Sequence, residues 1–256
     1  MTMFERRHVL AFPTLAALPA LLPELIAALP PVMRHRDIES QVTRLFLTGL
    51  VPGIVARPTR PCGACQGQLG FAFPVRVGEQ RVRAAVLVSP RQVRSILDPW
   101  QVMREALAQS GPPHPALPQI AGLARHCGLP VGLIGSAALQ AVTRLGGYLR
   151  PDSDLDIVVA ATQPQGLETF WEGIQAISSQ NECKIDVEID VNQRYGVKLE
   201  EYCSRNISVL VKTIHNVFVT DKSALFNNHV DREEDRVSSW QFPGRCAPTT
   251  FQPTEQ

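Results

Sequence analysis

Four things are scarce in this 256-residue chain, and each scarcity removes a class of protein. Net charge is scarce: 25 Lys and Arg face 24 Asp and Glu, giving +1 at pH 7. No global field therefore draws the chain to duplex nucleic acid or to an anionic membrane, and any polyanion it handles must be met by a local arrangement of side chains. Cysteine is scarce and scattered, at Cys62, Cys65, Cys127, Cys183, Cys203 and Cys246. A chain this long with so few thiols is not built on a disulfide framework. Cys62 and Cys65 alone have close spacing, but no second CxxC or HxxxH follows to complete the four ligands of a zinc site. The pair reads as two thiols in a Pro- and Gly-rich loop. Long apolar runs are missing too. Arg6-Arg7-His8 before the run Val9 to Leu22 loosely imitates a secretory signal, yet Pro13, Pro19, Pro23 and Glu24 interrupt it. A bilayer span needs about 20 apolar residues, so no membrane partner and a cytoplasmic location are expected. Aromatics make up only 6%, while hydrophobic residues make up 45%, enough for a full core of ordinary globular type.

What is present divides the chain into three zones. Residues 1–115 read as an N-terminal mixed α/β domain. It holds a strand from Arg7 to Phe12, an amphipathic helix from Thr14 to Leu29, and a helix from Asp37 to Leu47 that Asp37 caps and Gly49 stops. Strand-like pieces follow at 53–57, 69–77 and 81–88, and Ser89-Pro90 reads as a helix start. In the last strand piece, alternation puts Arg81 and Arg83 on one face. Gly111-Pro112-Pro113-His114-Pro115 reads as a linker, because proline excludes both helix and central strand. Residues 116–222 alternate helices and strands: helices ending at Cys127, over 137–145 and over 167–178, and strands over 131–134, 155–160, 183–191, 207–212 and 217–220. Residues 223–256 form a polar tail. The expected class is α/β (α+β), the second zone being a sheet flanked by helices.

The chemistry lies in the second zone. Asp154 and Asp156 stand two apart on a strand, so they share a face while Leu155 and Ile157 enter the core. Carboxylates about 7 Å apart along one strand repel each other unless a cation lies between them. Magnesium suits that arrangement, as a hard ion held by one or two carboxylates plus phosphate oxygens. Lys184 to Val191 alternates strictly, placing Asp186, Glu188 and Asp190 on one face. If that strand neighbours the first, one of its carboxylates completes the cluster. Gly135-Ser136 follows a strand and opens a helix, where backbone N–H groups, the helix dipole and the Ser136 hydroxyl form an anion site.

This combination resembles the polymerase-β-type nucleotidyltransferase superfamily. Within it the chain resembles the malonate decarboxylase holo-acyl-carrier-protein synthase family, the phosphoribosyl-dephospho-CoA transferases. The matching pieces are Arg7-His8, Val55-Ala56-Arg57-Pro58, Arg81 with Arg83, the run Tyr148 to Asp156, Ile185 to Ile189, and Val209 to Thr213. Val187, where the family usually has glycine, and Ala56, where it has a second arginine, depart from the pattern. The resemblance implies transfer of phosphoribosyl-dephospho-CoA from 2'-(5''-triphosphoribosyl)-3'-dephospho-CoA to a serine of the apo acyl carrier protein of malonate decarboxylase, with release of pyrophosphate. Asp154, Asp156 and Glu188 would hold magnesium, and Glu188 or Asp186 would take the serine proton. Gly135 and Ser136 would bind the β/γ-phosphates, and Lys212 would neutralise phosphate charge. Arg81 and Arg83, with Arg57 and Arg60, would meet the carrier or the donor's phosphates. A nucleotidyltransferase with another acceptor and a non-catalytic nucleotide-binding protein are the competing expectations. A nucleic-acid polymer is not expected as a partner, since no basic patch tracks a duplex.

Overall fold

The computed structural model describes residues 3–63 and 65–227. The acidic and basic run at 231–236, Cys246 and nearly all of the expected tail lie outside the described residues. Two sheets carry the fold. The first is antiparallel, in the order β4-β3-β2-β1-β5, built from β1 (Leu10–Pro13), β2 (Gly53–Ala56), β3 (Gly67–Val77), β4 (Gln80–Val88) and β5 (Val93–Leu97). Helices α1 (Leu18–Ala27) and α2 (Arg36–Leu47) cover it. Their apolar faces meet the sheet in a core that contains Leu18, Leu25, Val42, Phe46, Phe71 and Phe73. Phe46 and Phe71 meet edge to face at 5.1 Å, a geometry that adds to the area they bury.

The second sheet has the order β11-β10-β9-β8-β7-β6: β6 (Val131–Leu133), β7 (Leu155–Ala161), β8 (Ile185–Val191), β9 (Tyr195–Lys198), β10 (Ser208–Lys212) and β11 (Val217–Asp221). Only β7 and β8 run parallel, and the 14-residue helix α6 (Leu167–Gln180) makes their crossover. Helices α3 (Pro99–Leu107), α4 (Leu117–His126) and α5 (Gly135–Thr143) pack with the same core, and the short α7 (Leu199–Cys203) follows β9. The α+β class expected from the sequence is the class observed. Among the described residues, no helix is long and apolar enough to cross a membrane.

Several elements differ from the sequence reading, each for a physical reason. Ser89-Pro90 does open a capping box, but it caps a single 3₁₀ turn. The chain then pairs with β1 as β5, and the lasting helix starts later, where Asp98 caps α3 by accepting from the Gln101 N–H at 2.8 Å. Asp37 does not cap α2. His35 stands at that position without a side-chain bond, and Asp37 lies in the first turn, where it favours the helix dipole. The proline-rich segment 111–115 does not separate the cores: Val102, Met103 and Ala106 of α3, which precede it, are buried with the second sheet. The cores also interlock, since Leu10 and Ala72 join the second and Ile214 the first.

The apolar face of the second sheet is set by strict alternation. Leu155, Ile157 and Val159 of β7 and Ile185, Val187 and Ile189 of β8 point to the helices. The opposite face carries the acids and is not left to water. Val158, on the acid side, is 1% exposed. The segment leading into β1 supplies Arg7 and His8 to Glu188, tying the first sheet to this face. Gly196 of β9 makes that approach possible, because a Cβ there would overlap the Arg7 guanidinium and stand 2.6 Å from Glu188 Oε1. Gly196→Ala should therefore displace Arg7 and strand a half-buried carboxylate, lowering stability by about 3 kcal/mol. Urea unfolding of the variant against wild type measures this, and an unchanged midpoint would refute the role given to Gly196.

Candidate active site

The register of β7 and β8 decides which acids meet. Asp156 pairs with Asp186, and Val158 pairs with Glu188, so the carboxylate beside Asp156 is Asp186. Glu188 stands one alternation further along. It accepts from Arg7 Nη2 at 2.9 Å and lies 2.6 Å from His8 Nε2. Of the two acids the sequence offered to complete the cluster, geometry thus brings Asp186 to Asp154 and Asp156 and commits Glu188 to a clamp. Burial alone would raise Glu188, but His8 and Arg7 outweigh it and hold the carboxyl down at about 2. Asp186 is likewise held below its ordinary value: burial pushes up, and Lys198 and Lys184, each at 3.0 Å, pull it down. The exposed Asp154 meets Lys184 at 3.2 Å.

Asp156 differs from its neighbours. Among the described residues its carboxylate has no hydrogen bond or ion pair. Burial, then the Asp186 and Asp154 charges, push it up to about 6. Its backbone carbonyl receives the Ile134 N–H at 3.1 Å, and its side chain sits over the Gly135 turn. Gly135 has φ +67, and a Cβ there would overlap the Asp156 carboxylate. Glycine is required at this position both for its backbone angle and for space. Ser136 follows in the first turn of α5, whose free N–H groups favour an anion.

A cavity of about 280 Å³ opens between this helix start and the acids, lined by Ser136, Asp154 and Asp156 with Arg76, Arg150, Asp152 and Ser153. The sequence reading missed Arg76 and Arg150 as site residues. Arg150 binds Asp152 (Nε to Oδ1, 3.0 Å) and Glu79 of the β3–β4 turn, which fixes the loop before β7 to the first sheet. Arg76 donates to the Glu79 carbonyl at 2.8 Å, while its Nε is buried without a partner. A buried donor left unmade is costly, and a phosphate oxygen entering this cavity would satisfy it. The available signal was Leu149-Arg150-Pro151-Asp152 just before the Asp-Leu-Asp run. Nothing local marked Arg76.

Arg81 and Arg83 share a strand face but not an environment. Arg81 is 8% exposed because the Tyr148 loop covers it: it donates to the Tyr148 carbonyl and lies 5.2 Å from the ring centre. Burial, with Arg76 and Arg83 nearby, lowers its pKa. Tyr148 in turn donates to the Ala72 carbonyl at 3.0 Å. Arg81 therefore anchors the loop that leads to Asp154, and too deeply to meet a protein partner, while Arg83 is exposed. Lys212 pairs with Gly196 and lines a different cavity from the acids. Arg60 binds Glu24 at the surface, far along the first sheet.

Among the described residues, no group of three His, Cys, Asp or Glu side chains is gathered so as to hold a metal on protein ligands alone. Magnesium does not need one, since it takes one or two carboxylates with phosphate oxygens and waters. Asp154 and Asp156, with Asp156 lacking any cation of its own, fit that donor set.

Paired carboxylates over a glycine-serine turn that opens a helix, in a cavity that two arginines also line, are an arrangement suited to binding a metal-polyphosphate. Residues 101–223 match the model of the family described as phosphoribosyl-dephospho-CoA transferase MdcG, C-terminal domain. The match covers just under half of the chain, and the matched segment is similar to the transferase domain of that family. No curated protein and no solved structure matches the chain.

The raised pKa of Asp156 has a consequence for stability. A carboxyl at about 6 when folded, against an ordinary 3.8, favours the fold below about pH 4 and loses that contribution as pH rises through 6. Glu188 has the opposite sign, and its contribution is lost only toward pH 2. In metal-free buffer, Asp156→Asn should raise the melting temperature at pH 7.5 by roughly 2–4 °C, near 1 kcal/mol. The gain should shrink as pH falls through 6 and vanish by about pH 4. A variant that melts lower than wild type at pH 7.5 would show that the acids are not in conflict.

Proposed function

We propose that this transferase moves phosphoribosyl-dephospho-CoA from 2'-(5''-triphosphoribosyl)-3'-dephospho-CoA to a serine of the malonate decarboxylase acyl carrier protein, in the cytoplasm. The observation that carries the reading is the single cavity joining Asp154 and Asp156 to Ser136, Arg76 and Arg150, inside the matched domain. In the reaction, the serine Oγ bonds to the α-phosphorus, the bond to the leaving pyrophosphate breaks, and a phosphodiester results. Ser136, Gly135 and the start of α5 cradle the departing phosphates, and Arg76 and Arg150 offset the charge that develops on them. Asp154 and Asp156 would hold magnesium, which would supply Lewis-acid stabilisation of the phosphoryl oxygens. Asp186, beside Asp156, would be the acceptor of the serine proton. Glu188 keeps the face assembled.

The test is incubation of apo carrier protein with the triphosphate donor and magnesium, followed by intact mass and pyrophosphate release. Wild type should add one phosphoribosyl-dephospho-CoA per carrier. Asp154→Ala and Asp156→Ala should each lower turnover by about 10³-fold or more while keeping the fold, the loss of several kcal/mol of metal-borne stabilisation. Either variant turning over near the wild-type rate would end the metal-ligand assignment. Pyrophosphate release with nucleotide transfer to some other acceptor would end the carrier assignment and leave the chemistry.

A further inference from the structure

A second cavity, of about 300 Å³, opens beside the Glu188 clamp and has no role in the reaction as described. Its polar lining comes from Arg7, His8, Arg57, Lys212 and Thr213, and none of its lining residues is acidic. The cations come from distant parts of the chain. Arg7 and His8 precede β1, Arg57 follows β2, and Lys212 ends β10. Two of them are held in place by backbone. Arg7 Nη1 donates to the Lys212 carbonyl at 3.1 Å, and Arg57 Nη2 donates to the Asn216 carbonyl at 3.0 Å and to Thr213 at 3.3 Å. Such bonds orient a guanidinium without neutralising it. Glu188, with Asp190 beside it, supplies the negative charge that faces Arg7 and His8, and among the described residues neither acid is paired with Arg57 or Lys212. The Lys212 ammonium has no partner among the described residues. Positive charge is thus left in excess, and it is built in from three directions.

The place of this cavity on the sheet is informative. Lys212 pairs with Gly196, and Gly196 with Asp190, whereas Asp156 pairs with Asp186. Lys212 therefore lies three strands across and four residues along from Asp156, on the same face. Strand spacing and rise put the two positions about 20 Å apart. Lys212 does not act on phosphates held by Asp156. The proposed donor, however, carries phosphate at two places: the triphosphate that reacts, and the pyrophosphate of its dephospho-CoA part. Two linked ribose rings separate them.

We propose that the cleft of Arg57, Lys212, Arg7 and His8 is a second anion subsite, which takes the pyrophosphate of the dephospho-CoA part while the Arg76 and Arg150 cavity takes the triphosphate. The inference rests on the donor assigned under Proposed function. It makes the sheet face a two-point ruler: a nucleoside triphosphate lacking the distal pyrophosphate fills one point only, which selects the donor against ATP.

Titration calorimetry with the two halves of the donor separates the points. The probes are 3'-dephospho-CoA, which has the pyrophosphate alone, and inorganic tripolyphosphate. Lys212→Ala is the informative variant, because no bond within the fold depends on its ammonium, and an unchanged melting temperature confirms the fold. It should weaken dephospho-CoA binding about tenfold, the worth of one charge-assisted bond, and leave tripolyphosphate affinity within about twofold. Arg150→Ala should do the reverse. If wild type binds dephospho-CoA and Lys212→Ala binds it equally well, the subsite is wrong and the donor reading stands. If wild type binds ATP but no dephospho-CoA, the donor reading falls and the subsite with it. A rise in the carrier-protein KM with unchanged dephospho-CoA affinity would make the cleft a carrier dock and overturn the inference.

Discussion

One half-buried carboxylate sets the arrangement of the whole molecule. Glu188 lies in the middle of the acid-bearing face of the second sheet, and its two oxygens are taken by Arg7 and His8, about 180 residues earlier in the chain. Burying an ion is unfavourable unless partners replace its water, and removing one partner of such a set commonly costs about 3–5 kcal/mol. The clamp is therefore met only when the segment before β1 is seated on β8. That seating ties the first sheet to the acid-bearing face and shapes the second cavity, which Arg7 and His8 line. The backbone adapts to it: His8 adopts φ 61, and Gly196 leaves room for the guanidinium.

With Glu188 neutralised, the remaining charge is sorted along the face. At one end Asp154, Asp156 and Asp186 crowd together with two lysines for three acids, and Asp156 is the one without a cation. At the other end Lys212 and Arg57 gather with no acid lining the cavity. A chain of net charge +1 thereby presents a local demand for a cation and a local demand for an anion on one surface. A magnesium-bound polyphosphate with a distal pyrophosphate meets both. Electrostatic groups fixed before the substrate arrives do not have to reorganise during the reaction, which is where such sites gain most of their effect.

How far the sequence could show this depended on range. The alternation of Asp154-Leu155-Asp156-Ile157 and of Ile185 to Ile189 is a period-two signal confined to a few residues, so both strands and the shared face of their acids were legible. So was the Gly135-Ser136 helix start. Which acid meets Asp156 was not, because the parallel register is fixed by packing of the crossover helix and not by any local residue. The clamp could not be read at all, since Arg7 and His8 near the start carry no mark of a partner in β8. Arg81 shows the same limit in reverse: its strand face was right, but its burial comes from Tyr148, a loop 67 residues on. The short elements β5, β9 and α7 were not legible in the sequence. Ser89-Pro90 carried a true capping signal for a helix that ends after one turn.

The central claim is that the reacting phosphates and their metal sit at Asp154 and Asp156 and not at the clamp. Crystals grown with manganese in place of magnesium and soaked with the triphosphate donor test it directly, because anomalous scattering locates the ion without ambiguity. The expected result is a peak at the Asp154 and Asp156 carboxylates beside the donor phosphates, with Glu188 still bound to Arg7 and His8. A peak on Glu188, with Arg7 and His8 displaced, would contradict it.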